Sequence, residues 1–272
     1  MPLFQASDIN APVLSLFSLK GKIAIVTGGS RGIGLQIVRG LAEAGADVAF
    51  IYKTSQDTKE TAAKISKETG VRVQAYKSDV ADRNTITATI EQIVKEFGKG
   101  RLDVMVANAG VCQNVDSLEY DEESWKYMNS VNYDGVMWTA IAAGKVFKKQ
   151  GRGSLVITAS VSAHLVNVPQ TQAAYNSSKA GTLQLAKSLA VEWAGFARVN
   201  CVSPGYVHTE SSLDLCSALN VLIAYMIQSD HETTQGTYGP VAFSNTWQEN
   251  VQASRTERGE YSRPKFTSYA SW

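Results

Sequence analysis

The chain is expected to fold as a doubly wound α/β domain, one parallel sheet with helices on both faces and an atypical C-terminal part. Three observations predict this. Short β-branched runs alternate with helix-length stretches from residue 20 to about residue 210. That spacing supplies the long crossover which parallel neighbours need. A glycine-rich turn then joins the first strand to the first helix, where such sheets bind ligands.

Taken in order, residues 22–27 read as a buried strand, and residues 32–44 as a helix ended by Gly45. Residues 47–52 form the second strand, and a polar helix from about residue 56 to residue 69 stops at Gly70. Residues 71–76 alternate like a third strand, followed by a helix over 82–97. Residues 102–106, 154–158 and 198–202 complete six strands, with long helical segments between them.

After Glu210 the pattern stops. Residues 213–227 are apolar enough for a helix, whereas residues 228–272 contain no Leu and no Ile. Their Ser, Thr, Gln and Glu content is that of a segment unable to bury itself. The expected organisation is therefore a dinucleotide-binding and catalytic domain over 17–227 and an unpacked tail over 228–272. Residues 240–243 are short and open with a proline, which cannot donate to a ladder, so no seventh strand is expected from the tail. The sixth strand would be left as an open edge, with residues 213–227 folding over it or over the substrate cleft.

The balance of 26 basic and 25 acidic side chains leaves no basic face for nucleic acid or an anionic membrane. Cys112, Cys201 and Cys216 are too few and too scattered for a disulfide framework or a zinc site. His164, His208 and His231 lack ligand spacing, so no metal is expected, and His164 is read as a loop residue contacting substrate or solvent. The N-terminus has no early positive cluster, and nothing approaches the roughly 18 apolar residues of a membrane span, so a cytoplasmic location is expected.

The turn Thr27-Gly28-Gly29-Ser30-Arg31-Gly32-Ile33-Gly34 offers a seat for a diphosphate. Glycine at 28, 32 and 34 permits left-handed backbone and close approach, and the helix N-terminus that follows favours an anion. An acid that would hold the ribose of NAD is expected at the end of the second strand. Tyr52-Lys53-Thr54-Ser55 stands there instead. Arg31 and Lys53 are placed to pair with a 2′-phosphate, with Thr54 and Ser55 as hydrogen-bond donors, so NADP is the expected cofactor.

Tyr175 and Lys179 stand four residues apart, neighbours on one helix face. A fixed cation beside a phenol favours the phenolate, which lets the pair exchange a proton near neutral pH. Upstream, Thr158-Ala159-Ser160-Val161-Ser162 leaves a strand with hydroxyls able to hold a substrate oxygen.

These motifs, with Asp79-Val80, Asn108-Ala109-Gly110, Asn132 and residues 204–209, occur in the order seen in short-chain dehydrogenases/reductases. The resemblance spans about residues 17–210, and residues 157–181 look most like the fungal branch of NADP-dependent mannitol dehydrogenases and sorbose or xylulose reductases. It implies a Rossmann-type fold and a ketone–alcohol oxidoreductase acting on a small molecule, a polyol, sugar or secondary metabolite. Carried onto matching positions, it implies Asp79 and Val80 beside the adenine, and Asn108, Ala109 and Gly110 against the cofactor. Asn132 would hold a water for proton relay, Ser160 polarise the carbonyl and Tyr175 act as acid/base. Lys179 would contact the nicotinamide ribose, and Val207 and Thr209 the carboxamide. The spacing of serine to tyrosine in many members would select Ser162; the strand exit selects Ser160, which is preferred. A homo-oligomer is in doubt because the family's usual C-terminal end is not recognisable. The alternative to an active enzyme is a homologue without turnover that retains only a nucleotide pocket.

Overall fold

The computed structural model describes residues 12–207, 225–227 and 270–271. It contains β1 (Ile23–Thr27), α1 (Gly32–Glu43), β2 (Asp47–Tyr52), α2 (Thr58–Thr69), β3 (Val73–Lys77), α3 (Arg83–Glu96) and β4 (Val104–Ala107). These are followed by β5 (Val111–Cys112), α4 (Glu122–Asn129), α5 (Gly135–Gln150), β6 (Ser154–Thr158), α6 (Ala173–Glu192) and β7 (Arg198–Ser203). Two short strands complete the set, β8 (Tyr225–Ile227) and β9 (Ala270–Ser271).

The main sheet runs β3-β2-β1-β4-β6-β7-β8. The first six strands are mutually parallel, as expected, and β1 is buried along its whole length. Apolar side chains pack on both faces. Val38 of α1 and Ile65 of α2 cover one side with Val26 and Phe50. Ile90 of α3, Phe147 of α5 and Leu183 of α6 cover the other with Ile25, Met105 and Leu155. Each such fully buried side chain contributes about 1.5–3 kcal/mol relative to exposure.

Strand limits shift by two residues where polar side chains do local work. The fourth strand starts at Val104, and just before it the Asp103 carboxylate accepts from the Ile23 amide at 2.9 Å while the Asp103 main chain still bonds Ile23 and Ser154. The third starts at Val73, just after Arg72, whose guanidinium meets the Asp47 carboxylate at 2.6 Å and whose carbonyl accepts from the Val48 amide at 2.8 Å. Asp82 is the cap of α3, accepting from the Asn84 and Thr85 amides at 2.9 and 3.0 Å, which satisfies two orphan donors.

The sixth parallel strand, β7, is not left as a bare edge. Cys201, Val202 and Ser203 pair antiparallel with Ile227, Met226 and Tyr225. The helix expected over 213–227 is thereby corrected at its last three residues. The unpaired N–H and C=O groups of an edge strand are satisfied by another strand and not by a helix, whose main chain is internally bonded. Residues 208–224, and the tail over 228–272 apart from β9, lie outside the described residues. β9 pairs antiparallel with β5. No described helix is long and apolar enough to cross a membrane.

Candidate active site

Most of the expected cofactor-side residues, and Ser160, lie just beyond the C-terminal ends of parallel strands. Gly28 leaves β1, Lys53 leaves β2, Asp79 follows β3, Asn108 leaves β4 and Ser160 follows β6. The order reverses at β1, which lies between β2 and β4, and a crevice opens at such a point.

In the glycine turn, Gly28 (φ 66°) and Gly32 (φ 55°) adopt left-handed backbone. A Cβ on Gly34 would stand 2.0 Å from the Gly28 carbonyl oxygen and 2.6 Å from Asn108 Nδ2, so only hydrogen fits. Thr27 Oγ1 accepts from the amides of Asn108 (3.0 Å) and Ala109 (3.1 Å), and Asn108 Nδ2 donates to the Thr27 carbonyl at 3.1 Å. The Asn108-Ala109-Gly110 segment is thus tied to the turn. Arg31 caps α1 in an extended conformation, is exposed, and meets no acid among the described residues. Ile33 is half-buried beside it.

A cleft of about 320 Å³ opens over this turn, lined by Gly28, Ser30, Arg31, Lys53, Asp79 and Ala109 among others. Ser30 and Ser55 share a hydrogen bond of 2.6 Å between their hydroxyls. Lys53 is not free, as its ammonium lies 2.7 Å from Asp79 Oδ2. That hydrogen bond, opposed by partial burial, raises the Lys53 pKa above the ordinary lysine value. An acid therefore stands beside Lys53, beyond the end of β3, although none stands at the end of β2. Val80 is buried against Gly135, whose Cβ would come within 3.0 Å of it. Ser78 Oγ, in the cleft lining, and Asn108 Oδ1 are buried with no hydrogen-bond partner among the described residues. Glycines that leave room for a ligand, a helix N-terminus, two cations and two unused polar atoms fit a phosphorylated dinucleotide.

At the other end, Tyr175 and Lys179 lie on the first two turns of α6, both buried. The Lys179 ammonium is 5.8 Å from the Tyr175 ring centroid and donates to the Thr158 carbonyl at 2.8 Å. Burial lowers its pKa to about 8, against the opposing influence of Cys201 and Cys112. Burial also pushes the Tyr175 phenol above its ordinary range; Cys112 adds to this, and a hydrogen bond with Ser160 opposes it. The two nearby serines point to different partners. Ser160 meets the phenol, whereas Ser162 Oγ accepts from Asn167 Nδ2 at 2.8 Å.

Asn132 is fully buried in a π-helical turn, Ser130–Asp134, between α4 and α5. Its Oδ1 accepts from the Val111 amide at 2.8 Å, while Nδ2 donates to the Val111 carbonyl (2.8 Å) and Ser178 Oγ (3.1 Å). The Asn132 carbonyl accepts from Thr182 Oγ1 at 2.9 Å. Such a turn loosens the regular ladder, and here α6 supplies a donor to it. Asn132 Oδ1 and Lys179 Nζ both stand within 3.4 Å of where a Gly110 Cβ would be, so Gly110 separates these two polar groups.

Val207 is half-buried at the end of the described segment, and Thr209 lies outside it. His164 is exposed, with Nε2 sharing a hydrogen bond of 3.2 Å with Ser203 Oγ. Tyr127, Ser78 and Cys112 were not anticipated. Tyr127 lines the cleft and carries no signal on a polar helix surface, whereas Ser78 was identifiable as the neighbour of Asp79. Cys112 accepts from Gln172 Nε2 at 3.1 Å, and burial raises its thiol to about 12.

Known proteins are similar to this chain in sequence and fold. A sorbose reductase from Schizosaccharomyces pombe is 48% identical over 200 residues, 73% of this chain and 78% of that protein. An NADP-dependent mannitol dehydrogenase from Hypocrea jecorina is 46% identical over 200 residues, 72% and 74% of the two chains. The crystal structure of an NADPH-dependent 3-quinuclidinone reductase from Rhodotorula rubra superposes with a TM-score of 0.70 at 40% identity, covering 77% of this chain and 79% of that one. Residues 22–218 match the family described as short chain dehydrogenase, and they include the glycine turn, the Ser160–Tyr175–Lys179 set and the parallel sheet beneath them. The chain belongs to the short-chain dehydrogenase family.

Proposed function

We propose that the chain is an NADP(H)-dependent oxidoreductase that interconverts a ketone and a secondary alcohol, with a polyol or sugar as substrate. The observation that carries this reading is the buried phenol of Tyr175, hydrogen-bonded by Ser160 and flanked by the Lys179 ammonium. The sorbose reductase and mannitol dehydrogenase relatives support the substrate class.

The nicotinamide, when bound, supplies or accepts the hydride. Ser160 donates a hydrogen bond to the substrate oxygen, and Tyr175 gives or takes the proton at that same oxygen. Burial favours the neutral phenol, which is the proton donor that ketone reduction requires. For alcohol oxidation the neighbouring ammonium favours the phenolate. Lys179 also holds the nicotinamide ribose. Asn132 holds the relay water: its side chain is engaged with Val111 and Ser178, while its main-chain carbonyl, which accepts once from Thr182, keeps a second lone pair for a water. The glycine turn, with Ser30, Ile33 and the α1 N-terminus, receives the diphosphate. Arg31 and Lys53 receive the 2′-phosphate, Asp79 and Val80 flank the adenine, and Val207 and Thr209 meet the carboxamide. The free Cys112 and Cys201 suit a reducing, cytoplasmic setting.

The test is NADPH consumption, followed by absorbance, with ketopentoses, ketohexoses and simple ketones. Turnover with a ketose is expected. A chain that NADP⁺ stabilises against heat, but that turns over no ketone, would be the inactive nucleotide-binding homologue instead.

A further inference from the structure

The Lys53 ammonium is held from two sides. Asp79 Oδ2 lies 2.7 Å from it, and the Tyr127 ring centroid lies at 5.3 Å. All three side chains line the cleft. Lys53 leaves β2 and Asp79 follows β3, and these strands are in parallel register up to Tyr52 opposite Lys77. The sheet itself therefore brings the pair together. The second Asp79 oxygen, Oδ1, accepts from the Ala81 amide at 3.0 Å, which fixes the carboxylate. The side chains remain 48% and 31% exposed, so an incoming anion can reach the ammonium.

Two anions that share one cation repel each other, and a half-exposed ion pair is weak enough to be displaced. Resting on the reading of Lys53 as a 2′-phosphate partner, we propose that Asp79 is a specificity-determining residue that restrains the preference for NADP(H) over NAD(H). Its carboxylate is a resident counter-anion with which the 2′-phosphate must share Lys53. NAD(H) carries a hydroxyl at that position and meets no such competitor. A contact between Asp79 and the adenine is common to both cofactors and cancels in the ratio of their affinities.

The experiment is calorimetric titration of NADP⁺ and NAD⁺ into the full chain, Asp79→Asn and Lys53→Met at one ionic strength. The quantity read is the dissociation constant for NAD⁺ divided by that for NADP⁺. Asp79→Asn is expected to raise it at least threefold, and Lys53→Met to lower it about tenfold. If Lys53→Met lowers the ratio while Asp79→Asn leaves it unchanged, or lowers it too, the proposal is overturned and the phosphate assignment stands. If Lys53→Met leaves the ratio unchanged, the phosphate assignment fails and takes the proposal with it.

Discussion

The fully buried ammonium of Lys179 donates to the main-chain carbonyl of Thr158, the last residue of β6, at 2.8 Å. One hydrogen bond only partly offsets the loss of water around a charge. Burial therefore lowers the lysine pKa from 10.5 to about 8 in the folded chain.

That shift has a definite effect on stability. Between pH 8 and 10.5 the unfolded lysine is protonated and the folded one is not, so the unfolded state binds more protons and stability rises with pH. Below pH 8 both states are charged and the full penalty applies. Lys179→Met removes this term, so its stability relative to the parent should decline by about 1 kcal/mol between pH 7 and pH 9. Chemical denaturation at both pH values measures it; a pH-independent difference would contradict the assignment.

Tyr175→Phe keeps the ring and its packing while removing only the hydroxyl. Nucleotide binding should persist and turnover should fall by about 10² or more. Turnover within a fewfold of the parent would exclude Tyr175 as the proton-transfer group.

Ser160 bonds to the phenol, and Ser162 is occupied by Asn167. Ser160→Ala should accordingly lower kcat more than Ser162→Ala does. The reverse order in steady-state kinetics would move the substrate oxygen to Ser162.

Arg31 is the exposed cation of the glycine turn that pairs with no described acid. Arg31→Ala should weaken NADP⁺ binding by about 1.5–3 kcal/mol, roughly ten- to a hundredfold, with little change for NAD⁺. Equal losses for both cofactors would place Arg31 at the diphosphate rather than the 2′-phosphate.

Gly34→Ala sets a methyl group 2.0 Å from the Gly28 oxygen, where main chain must give way. A loss of about 2 kcal/mol or more is expected, lowering Tm by roughly 4 °C or more, along with weaker nucleotide binding. An unchanged thermal midpoint would show that the turn can open.

The parallel strands were legible in sequence because strands buried on both faces read as unbroken apolar runs, as residues 23–27 do. The short motifs were legible because catalysis needs particular groups at helical spacing, as with Tyr175 and Lys179. Other features had no local signature. The π-turn around Asn132 goes with a hydrogen bond from Thr182, fifty positions away, which no local spacing expresses. The Lys53–Asp79 pair arises from the adjacency of two strand ends, which no spacing along the chain expresses. At residues 225–227, apolarity matched a helix as well as a strand, and the bonding needs of β7 decided.

The bonds of Asn132 also bear on the order of folding. They join Val111, Ser178 and Thr182, partners 21, 46 and 50 residues away. Contacts so distant along the chain close late, because each must first overcome the entropy of a long loop. The helices, whose main-chain bonds are local, can thus form before Asn132 locks the catalytic helix to β5 and before β1 pairs with β4, eighty positions away. In refolding followed by far-UV circular dichroism, most of the helical signal should return before the capacity to bind NADP⁺.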